Sequence, residues 1–559
     1  MRQGLAVRGH NEEEGNLFQL LKIRSKDVPE LDTYIKANKY MSPGIQNEMI
    51  SLFSNSILRS IMSDIKAAKW FSVIGDETND ISNKEQFNIS IRWVANDFFV
   101  HEDPVGFVNV PDIQGQTLYL AIKDVLIRLT LPLSDCRGQA YDGAQNMQGK
   151  VKGVGPRLAK EYPPAIAVHS LAHCLNLCLQ DIARSSKPVR DAMDLVFEIM
   201  QLIKFSPKRD HLFQQIKLDE TPEAPGLRLL CPTRWIRSLD SVLRNYSTLI
   251  HTLEHISTTG YDEYSRRAGG QHTLMDKFST FFGLKLAQLL FGASEQLSCT
   301  LQSKQTSAQD AFRAANLAKA FYNRQRTDEA FENFYSSVLR EAQGHEEIEE
   351  PVLPRKRKVP RRLDDGAAGH VYESPKDYFQ PQYFDVIDKI MVELDDRFNQ
   401  PSFRLVQKIE EMFITAANGE KVAVPEEIVQ LNIDRLSLQL KMLPDLMQGF
   451  KQVTSIDNLC AALVENKSNN VVRSMFSEVE KMLHIYLTIP VTPSTSERSF
   501  SALRRLKTYL RSTMTQKRLN GVMLCSVNKD RLDLVDLKDV AIAFTEGHET
   551  RQQYFGTIH

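Results

Sequence analysis

The stretch Trp70-Phe71-Ser72-Val73-Ile74-Gly75-Asp76-Glu77-Thr78 decides the fold: a short apolar run ends abruptly in carboxylates. The segment from Glu85 to Val94 follows it and alternates, with apolar side chains on one face and polar side chains on the other. Strict alternation is typical of a half-buried strand. We therefore predict two neighbouring strands with Asp76 at the end of the first, where a sheet can hold a divalent metal ion.

Composition and charge limit the classes of protein to which the chain can belong. Its 559 residues are enough for more than one domain, and 42% hydrophobic and 25% charged residues are typical of a soluble globular protein. No apolar stretch is long enough to span a bilayer, so we expect no membrane association and, from the motifs, no small-molecule substrate. Seven scattered cysteines do not predict a disulfide framework. With a net charge of −1, nucleic-acid contacts would depend on local basic patches.

Hydrophobic periodicity predicts an α/β fold, a mixed sheet with flanking helices, interrupted by a large helical insertion. Strands are predicted near 70–76, 86–95, 98–110 and Ala165–Val168, and extended structure is expected again from Met482 to Ile489. The predicted domains are a helical N-terminal segment (1–66), the first part of the core (67–190), the helical insertion (191–480) and the completion of the core (481–545).

Two further acids occupy settings comparable to that of Asp76. Asp142 follows the extended segment from Cys136 to Tyr141, and Glu497 lies near the start of a predicted C-terminal helix. Three carboxylates brought together would suit a pair of Mg²⁺ or Mn²⁺ ions for phosphodiester chemistry. Simpler interpretations exist: the two aspartates begin turns, and Glu497 with Ser494 forms a capping box. Residue type and spacing leave this choice open.

Two basic segments are candidates for contact with phosphate or with the import machinery. The first, Arg355-Lys356-Arg357-Lys358, lies in a segment, 341–375, that prolines and charges predict to be a flexible linker. It is interpreted as a nuclear-import signal, a phosphate contact or a solvated charge run. The second segment supplies a predicted phosphate-facing surface: Arg498, Arg504, Arg505, Lys507 and Arg511. The apolar side chains around it are predicted dimer contacts: Phe500, Leu503, Leu506 and Leu510.

Two other clusters have a functional and a structural interpretation. The first, His169, His173, Cys174 and Cys178, has no second ligand pair with zinc-finger spacing, so local packing is favoured over zinc binding. The second, Cys231-Pro232-Thr233-Arg234-Trp235, places Arg234 beside an indole that could stack on an unpaired base. The alternative is that Trp235 is an ordinary core residue.

Four ordered segments resemble the hAT transposases and the host proteins derived from them, in particular the zinc-finger MYM-type-like and TTF-finger-containing branch. These segments are Ala68–Gln86, Cys136–Met147, Cys231–Trp235 and Leu487–Met514. The resemblance implies a ribonuclease H-like core interrupted by an all-helical insertion, and homodimerisation through the C-terminal block. It also implies a catalytic, metal-binding triad of Asp76, Asp142 and Glu497, with Mg²⁺ or Mn²⁺ as cofactor and DNA as partner. Trp235 corresponds to a residue that contacts a flipped or hairpin base.

The sequence departs from that family in two places. No Cys/His cluster of an N-terminal zinc finger is present, and Ser170 stands where many members carry a cysteine ahead of the retained His173. We therefore expect a truncated or domesticated nuclear protein that dimerises and associates with DNA, with its triad formally intact. The alternatives are an active cut-and-paste transposase and a protein-interaction module that binds no nucleic acid.

Overall fold

The structure is a computed structural model in which two compact units can be described. It describes residues 2–9, 12–141, 147, 152–169, 171–230, 235–301, 307–353, 372–398, 400–425, 431–449, 452–465, 470–491, 495–556 and 558. One unit consists of Met1–Ser170 and Pro401–His559, and the other of Leu171–Gln400. The helical unit thus begins before residue 191 and ends well before residue 480, and the helices after residue 400 belong with the sheet. Within the described ranges, no helix has the length and apolar character needed to cross a membrane.

The first unit contains a mixed β-sheet. Its strands are β1 (Phe71–Asn79), β2 (Glu85–Val94), β3 (Val100–Asn109), β4 (Cys136–Tyr141) and β5 (Ile166–His169). The order across the sheet is β3-β2-β1-β4-β5. Strands β1, β2 and β3 are antiparallel neighbours, whereas β4 runs parallel to β1 and β5 parallel to β4. The predicted mixed α/β architecture is confirmed.

Helices before and after the strands complete this unit. Those of its N-terminal part are α1 (Asn16–Arg24), α2 (Pro29–Ala37), α3 (Pro43–Ala68), α4 (Gly115–Arg128) and α5 (Val154–Glu161). The helical unit contains α6 (Leu171–Ser185), α7 (Lys187–Lys204), α8 (Pro207–Glu220), α9 (Trp235–Leu243), α10 (Tyr246–Thr259), α11 (Glu263–Met275), α12 (Phe278–Leu301), α13 (Ala308–Gln325), α14 (Asp328–Gln343) and α15 (Pro375–Phe398). The sheet-bearing unit then continues with α16 (Pro401–Ala417), α17 (Ile433–Leu446), α18 (Ile456–Glu465), α19 (Asn470–Met475), α20 (Ser477–Thr488), α21 (Thr495–Leu506), α22 (Gln516–Val527), α23 (Lys529–Asp533), α24 (Leu537–Glu546) and α25 (Glu549–Phe555).

One face of the sheet is covered by an apolar core. The alternating side chains that include Phe87, Ile89 and Ile91 of β2 pack with buried residues of α3, α4 and α5. Gly75 in β1 has to be small, because a Cβ there would lie 2.8 Å from Cζ of Phe87 and 3.0 Å from Cδ1 of Tyr141. The residue immediately before Asp76 is therefore fixed by close packing between the aromatic rings of the two neighbouring strands.

The other face of the sheet is buried as well, which corrects the prediction of a half-buried strand. Gln86, Asn88 and Ser90 point away from the apolar core, yet all three are fully buried. Helices α20 and α21, which come from the far end of the chain, contact β2 on the sheet. The alternation of apolar and polar residues correctly indicated which side chains share a face of the sheet. It carries no information about what covers that face.

The segment from Met482 to Ile489 is helical, so the prediction of an extended structure was wrong. Residues 477–488 form α20, and the side chains of Met482, Leu483 and Ile485 are all buried. This helix contacts β2 and β4 as well as α16 and α17, so it is enclosed on several sides. Residues 482–486 are all buried, so no exposed polar face marks this part of the helix, and a short apolar run of that kind cannot be distinguished from a buried strand by its periodicity.

The interior of the helical unit contains a cluster of aromatic side chains among its buried aliphatic residues. Phe282 of α12 belongs to this cluster, with ring centroids 4.5 Å from Phe379 and 5.7 Å from Phe334. The acidic run after α14, predicted to belong to a flexible linker, is in fact bound to α10 where it is described. His345 Nδ1 lies 2.9 Å from the Ser247 hydroxyl, and Glu347 pairs with His251 at 3.0 Å.

Candidate active site

Asp76 lies within β1, directly opposite Asn88 of β2. It is half-buried, and its Oδ1 accepts a hydrogen bond of 2.9 Å from the backbone N–H of Glu77. Directly opposed residues of an antiparallel pair point to the same face of the sheet. The carboxylate of Asp76 and the carboxamide of Asn88 are therefore neighbours on the polar face.

The sheet register relates Asp76 to the strand that precedes Asp142. β1 and β4 pair in parallel with Ile74 opposite Ala140, and each of these residues precedes one of the two aspartates by two positions. Asp142 itself lies outside the described residues. The expectation that the two acids come together at the sheet therefore rests on the strands that lead to them.

Glu497 belongs to α21, and this helix contacts β1, β2 and β3. The side chain of Glu497 lies outside the described residues, as does that of Arg498. The segment that carries Glu497 nevertheless returns to the sheet after several hundred residues, as a meeting of the three acids requires. The three elements that lead to or contain the acids are thus neighbours, because β4 adjoins β1 and α21 packs on β1.

The described part of this site offers oxygen atoms that suit a hard divalent cation. Asn88 Oδ1 is buried and accepts no hydrogen bond from the described residues, although its amide group donates to the Ser90 hydroxyl at 3.2 Å. An unsatisfied buried oxygen beside a carboxylate is the donor chemistry that Mg²⁺ and Mn²⁺ require. No group of three or more potential metal-binding side chains occurs among the described residues. Of the triad, Asp76 is the one acid whose side chain belongs to the described part of the structure. The metal site stays a prediction.

Lys507 does not face phosphate, which corrects its assignment to the basic surface. Its ammonium group pairs with Asp80, and the side chains of Lys507 and Asp80 are 2% and 0% exposed. Burial alone would raise the pKa of Asp80, but hydrogen bonds from Lys507, Ser82 and the Lys84 backbone hold the pKa of that carboxyl well below its usual range. Lys507 therefore compensates the charge of a buried carboxylate. The spacing of residues along the sequence did not reveal that Asp80 is its partner.

The Asp80–Lys507 pair belongs to a hydrogen-bond network between the sheet and α22. Gln86 donates to Asp80 Oδ2 at 2.9 Å and exchanges hydrogen bonds with the Gln516 side chain. Asn520 binds the backbone of Phe107 on both sides, accepting from its N–H at 3.0 Å and donating to its carbonyl at 2.9 Å. Gln86, Gln516 and Asn520 were not singled out from the sequence, although the polar positions of β2 were visible there.

Leu503 and Leu506 are core residues, so their prediction as dimer contacts was wrong. They are 3% and 1% exposed, and they pack in one cluster with Phe107 of β3 and with residues of α22. Phe500 is half-buried against the same cluster. The side chain of Leu510 lies outside the described residues. An apolar helix face signals burial, but the burial here is against the chain's own sheet.

The other predicted nucleic-acid contacts have different settings. Arg504 and Arg505 are exposed on α21, whereas Arg511 is half-buried and donates a 2.8 Å hydrogen bond to the carbonyl of Gly4. Trp235 is half-buried at the start of α9 and stacks on Phe291 with ring centroids 5.1 Å apart. Its indole N–H is buried and has no acceptor among the described residues. Arg234 and the candidate import signal, Arg355, Lys356, Arg357 and Lys358, lie outside the described residues.

Two family models match the two parts of the chain that form this site. The model DUF4371, described as "ZMYM1/FAM200, RNase-like domain", matches residues 1–153 and so includes β1 to β4. The model of the hAT family C-terminal dimerisation region matches residues 470–530, which include α21 and α22. The chain is therefore related to the hAT transposases. Its hAT dimerisation region is the part that folds back onto the RNase-like sheet.

Curated relatives of this hAT-related chain show the same relationship over most of its length. It is 22% identical over 575 residues to the human "52 kDa repressor of the inhibitor of the protein kinase", with 96% of this chain and 73% of the relative covered. It is also 22% identical over 519 residues to the mouse protein of the same name, with 88% of this chain and 66% of the relative covered. The alignments span both the sheet-bearing and the helical parts of the chain.

Proposed function

We propose that the chain is a hAT transposase-derived nuclear protein that oligomerises and associates with DNA. The observation that supports this function is the meeting of β1, β4 and α21, the elements that lead to or contain the acids corresponding to the transposase triad. The basic side chains Arg504 and Arg505 lie exposed on α21, the helix that carries Glu497. The repressor named among its relatives is consistent with a role on DNA.

The side chains of the chain itself would prepare the site. The backbone N–H of Glu77 orients the carboxylate of Asp76, and the oxygen of Asn88 lies on the same face of the sheet. With Asp142 and Glu497 they would hold Mg²⁺ or Mn²⁺. A bound ion of this kind stabilises the charge that develops on the attacking and leaving oxygens of a phosphodiester. Arg504 and Arg505 would hold the flanking phosphates.

DNA association is tested by measuring the affinity of the full chain for duplex DNA at several salt concentrations. We expect log K to fall with log salt by roughly 0.9 for each phosphate contact, and the slope to decrease when Arg504 and Arg505 are replaced by Gln. Arg24→Gln is the matched control, because Arg24 is exposed on α1 and paired with Asp27. Affinity that does not depend on salt, or an equal effect of the control, would refute the DNA contact.

An active transposase is the second candidate, supported by the same meeting of elements. The full chain would be incubated with a matched transposon end and Mg²⁺ or Mn²⁺. For a domesticated protein we expect no strand cleavage or joining. Metal-dependent cleavage that is lost in Asp76→Asn, Asp142→Asn and Glu497→Gln, each a change that keeps size and removes a charge, would establish the enzyme instead.

Oligomerisation would use other side chains than the buried leucines. Within the matched hAT dimerisation region, Val471 and Met475 are 66% and 47% exposed and lie one turn apart on α19. We propose that a second copy of this chain covers them. Sedimentation of Val471→Asp/Met475→Asp at micromolar concentration should show a monomer where the unmodified chain is a dimer. A monomeric unmodified chain would refute this interface.

A further inference from the structure

Three arginines of the sheet-bearing unit lie close together. Arg8 belongs to the N-terminal segment, Arg511 to a short 3₁₀ turn after α21, and Arg518 to α22. Burial, and then the positive charges of Arg8 and Arg511, lower the pKa of Arg518 to about 10. Arg8 and Arg518 are held by residues that lie one turn apart at the start of α3, and Arg511 is held by the N-terminal segment that carries Arg8. The three guanidinium groups therefore form one cationic cluster.

No acid neutralises this cluster within the described residues. Each guanidinium donates one hydrogen bond to a neutral oxygen instead of a carboxylate. The three bonds run from Arg8 Nη2 to the Pro43 carbonyl (2.6 Å), from Arg511 Nη1 to the Gly4 carbonyl (2.8 Å) and from Arg518 Nη1 to Asn47 Oδ1. Neutral acceptors hold the side chains in place and leave their charge uncompensated.

The cluster has donors left for a ligand. A guanidinium carries five N–H donors, so one hydrogen bond each leaves most of them unused. Arg8 Nε is buried and has no hydrogen-bond partner among the described residues. A buried donor of this kind is costly unless something else satisfies it.

The surroundings add to the positive potential. Pro43 and Asn47, which hold two of the arginines, lie in the first turns of α3, and the N-terminal end of a helix carries a partial positive charge. The adjacent acid of α3, Glu48, is engaged by Arg551 at 2.6 Å. Three like charges held together at such a place repel one another, and an oxyanion would relieve that repulsion.

We propose that Arg8, Arg511 and Arg518 form a binding site for a phosphate group, supplied either by a nucleic-acid backbone or by a small phosphate compound. Planar guanidinium forks match the oxygen atoms of a phosphate in pairs, which makes arginine suited to this ligand. The site involves neither the triad nor the exposed arginines of α21. Binding of phosphate at this site can be tested independently of the DNA association proposed above, because the test uses inorganic phosphate alone.

The test compares thermal unfolding and calorimetric titration of the full chain in sodium phosphate and in sodium chloride at equal ionic strength. We expect phosphate to raise Tm more than chloride does, and Arg518→Gln to weaken phosphate binding by about tenfold or more, since hydrogen bonds between charged groups are the strong ones. Without phosphate, Arg518→Gln should unfold at the same or a higher temperature, because it removes repulsion. Arg518→Lys should retain part of the binding.

Other outcomes separate the site from a structural role and identify the source of the phosphate. Equal responses to phosphate and chloride, or a lower Tm of Arg518→Gln with its phosphate response intact, would overturn the proposal. So would an equal loss of phosphate binding in Arg24→Gln, the exposed and paired arginine of α1. If duplex DNA displaces inorganic phosphate, the nucleic-acid backbone is the ligand, and if it does not, the site is one for small phosphates.

Discussion

The two compact units stabilise their interiors in different ways. In the sheet-bearing unit, directional polar contacts join residues that are far apart in sequence, such as Asp80 and Lys507, separated by 427 positions. In the helical unit the interior is apolar, with aliphatic and aromatic side chains, and its buried hydrogen bonds join residues much closer in sequence, such as Ser294 and Tyr322, separated by 28 positions. The first unit is complete only when the C-terminal chain returns, whereas the second is built from one continuous segment.

This difference shows what the buried polar face of the sheet does. Apolar side chains tolerate several packing arrangements, but a buried donor or acceptor has to meet its own partner. The network around Asp80, Gln86 and Asn520 therefore fixes where α22 lies on the sheet, and with it the position of α21. The cost of closing so long a chain grows only slowly with its length, so a few satisfied polar contacts with an apolar cluster suffice to hold it.

The largest expected effect comes from breaking the buried ion pair. Lys507→Met or Asp80→Asn should lower the free energy of unfolding of the sheet-bearing unit by about 3–5 kcal/mol, because one charged partner is left uncompensated. The double variant should recover much of this loss. Because the pKa of Asp80 is lowered in the folded state, the contribution of the pair is present above the ordinary pKa of an aspartate and is lost as pH falls below it.

Hydrogen exchange with mass spectrometry measures this effect separately in the two units. Protection should fall in β1, β2 and α22 for each single variant and stay unchanged in α12. A single variant as stable as the unmodified chain would show that the pair does not hold the C-terminal helices, and the contrast between the units would lose its main support.

A smaller effect is expected at Asn520. Asn520→Leu leaves the N–H of Phe107 without its side-chain partner and removes one of two amide donors to its carbonyl, which Gln516 still binds, so we expect a loss of roughly 1–3 kcal/mol in urea unfolding. Asn528→Leu is a control on the same segment, since the Asn528 side chain, directly after α22, donates to the carbonyl of Leu524 four residues earlier and not to β3 in the described structure. If Asn520→Leu and Asn528→Leu lose equal stability, the hydrogen bonds from Asn520 to β3 make no specific contribution to the stability.

The smallest effect is a pH dependence of the helical unit. His251 lies between Glu220 and Glu347, at 2.6 and 3.0 Å. Burial would lower its pKa, but the hydrogen bond and charge of Glu220, with Glu347, raise the pKa above its usual value of 6.5. The contribution of His251 to the stability of the helical unit is therefore complete below about pH 6.5, and it is lost as pH rises through the folded-state pKa of this histidine.

The contribution of His251 should be below about 1 kcal/mol, because the imidazole is partly exposed. In His251→Gln, protection of α10 against hydrogen exchange, corrected for the intrinsic rate, should no longer decrease between pH 6 and 8. His255→Gln, an exposed histidine on the same helix, should leave the decrease intact. If the pH profile of His251→Gln is identical to that of the unmodified chain, the contacts of His251 with the two glutamates do not cause the pH dependence.

Much of the fold followed from local pattern. The strands that became β1, β2, β3 and β5 and the helix that carries Glu497 were predicted within a few residues, since alternation and helical spacing reflect neighbours along the chain. The motifs around Asp76, Asp142 and Glu497 indicated the hAT relationship, which the two family models confirm. The oxygen-rich face beside Asp76 was visible in the polar positions of β2, although Asn88 itself was not recognised.

By itself the sequence determined the mixed sheet, the helical character of the middle of the chain and the family. Only the tertiary structure decided that the polar face of β2 is buried, that Lys507 neutralises Asp80, that Leu503 and Leu506 belong to the core, and that the segment after Met482 is helical. The physical reason is the same in each case. A local pattern states which side chains point together, whereas burial and charge pairing depend on a partner that lies hundreds of residues away and is identified only when the chain returns to the sheet.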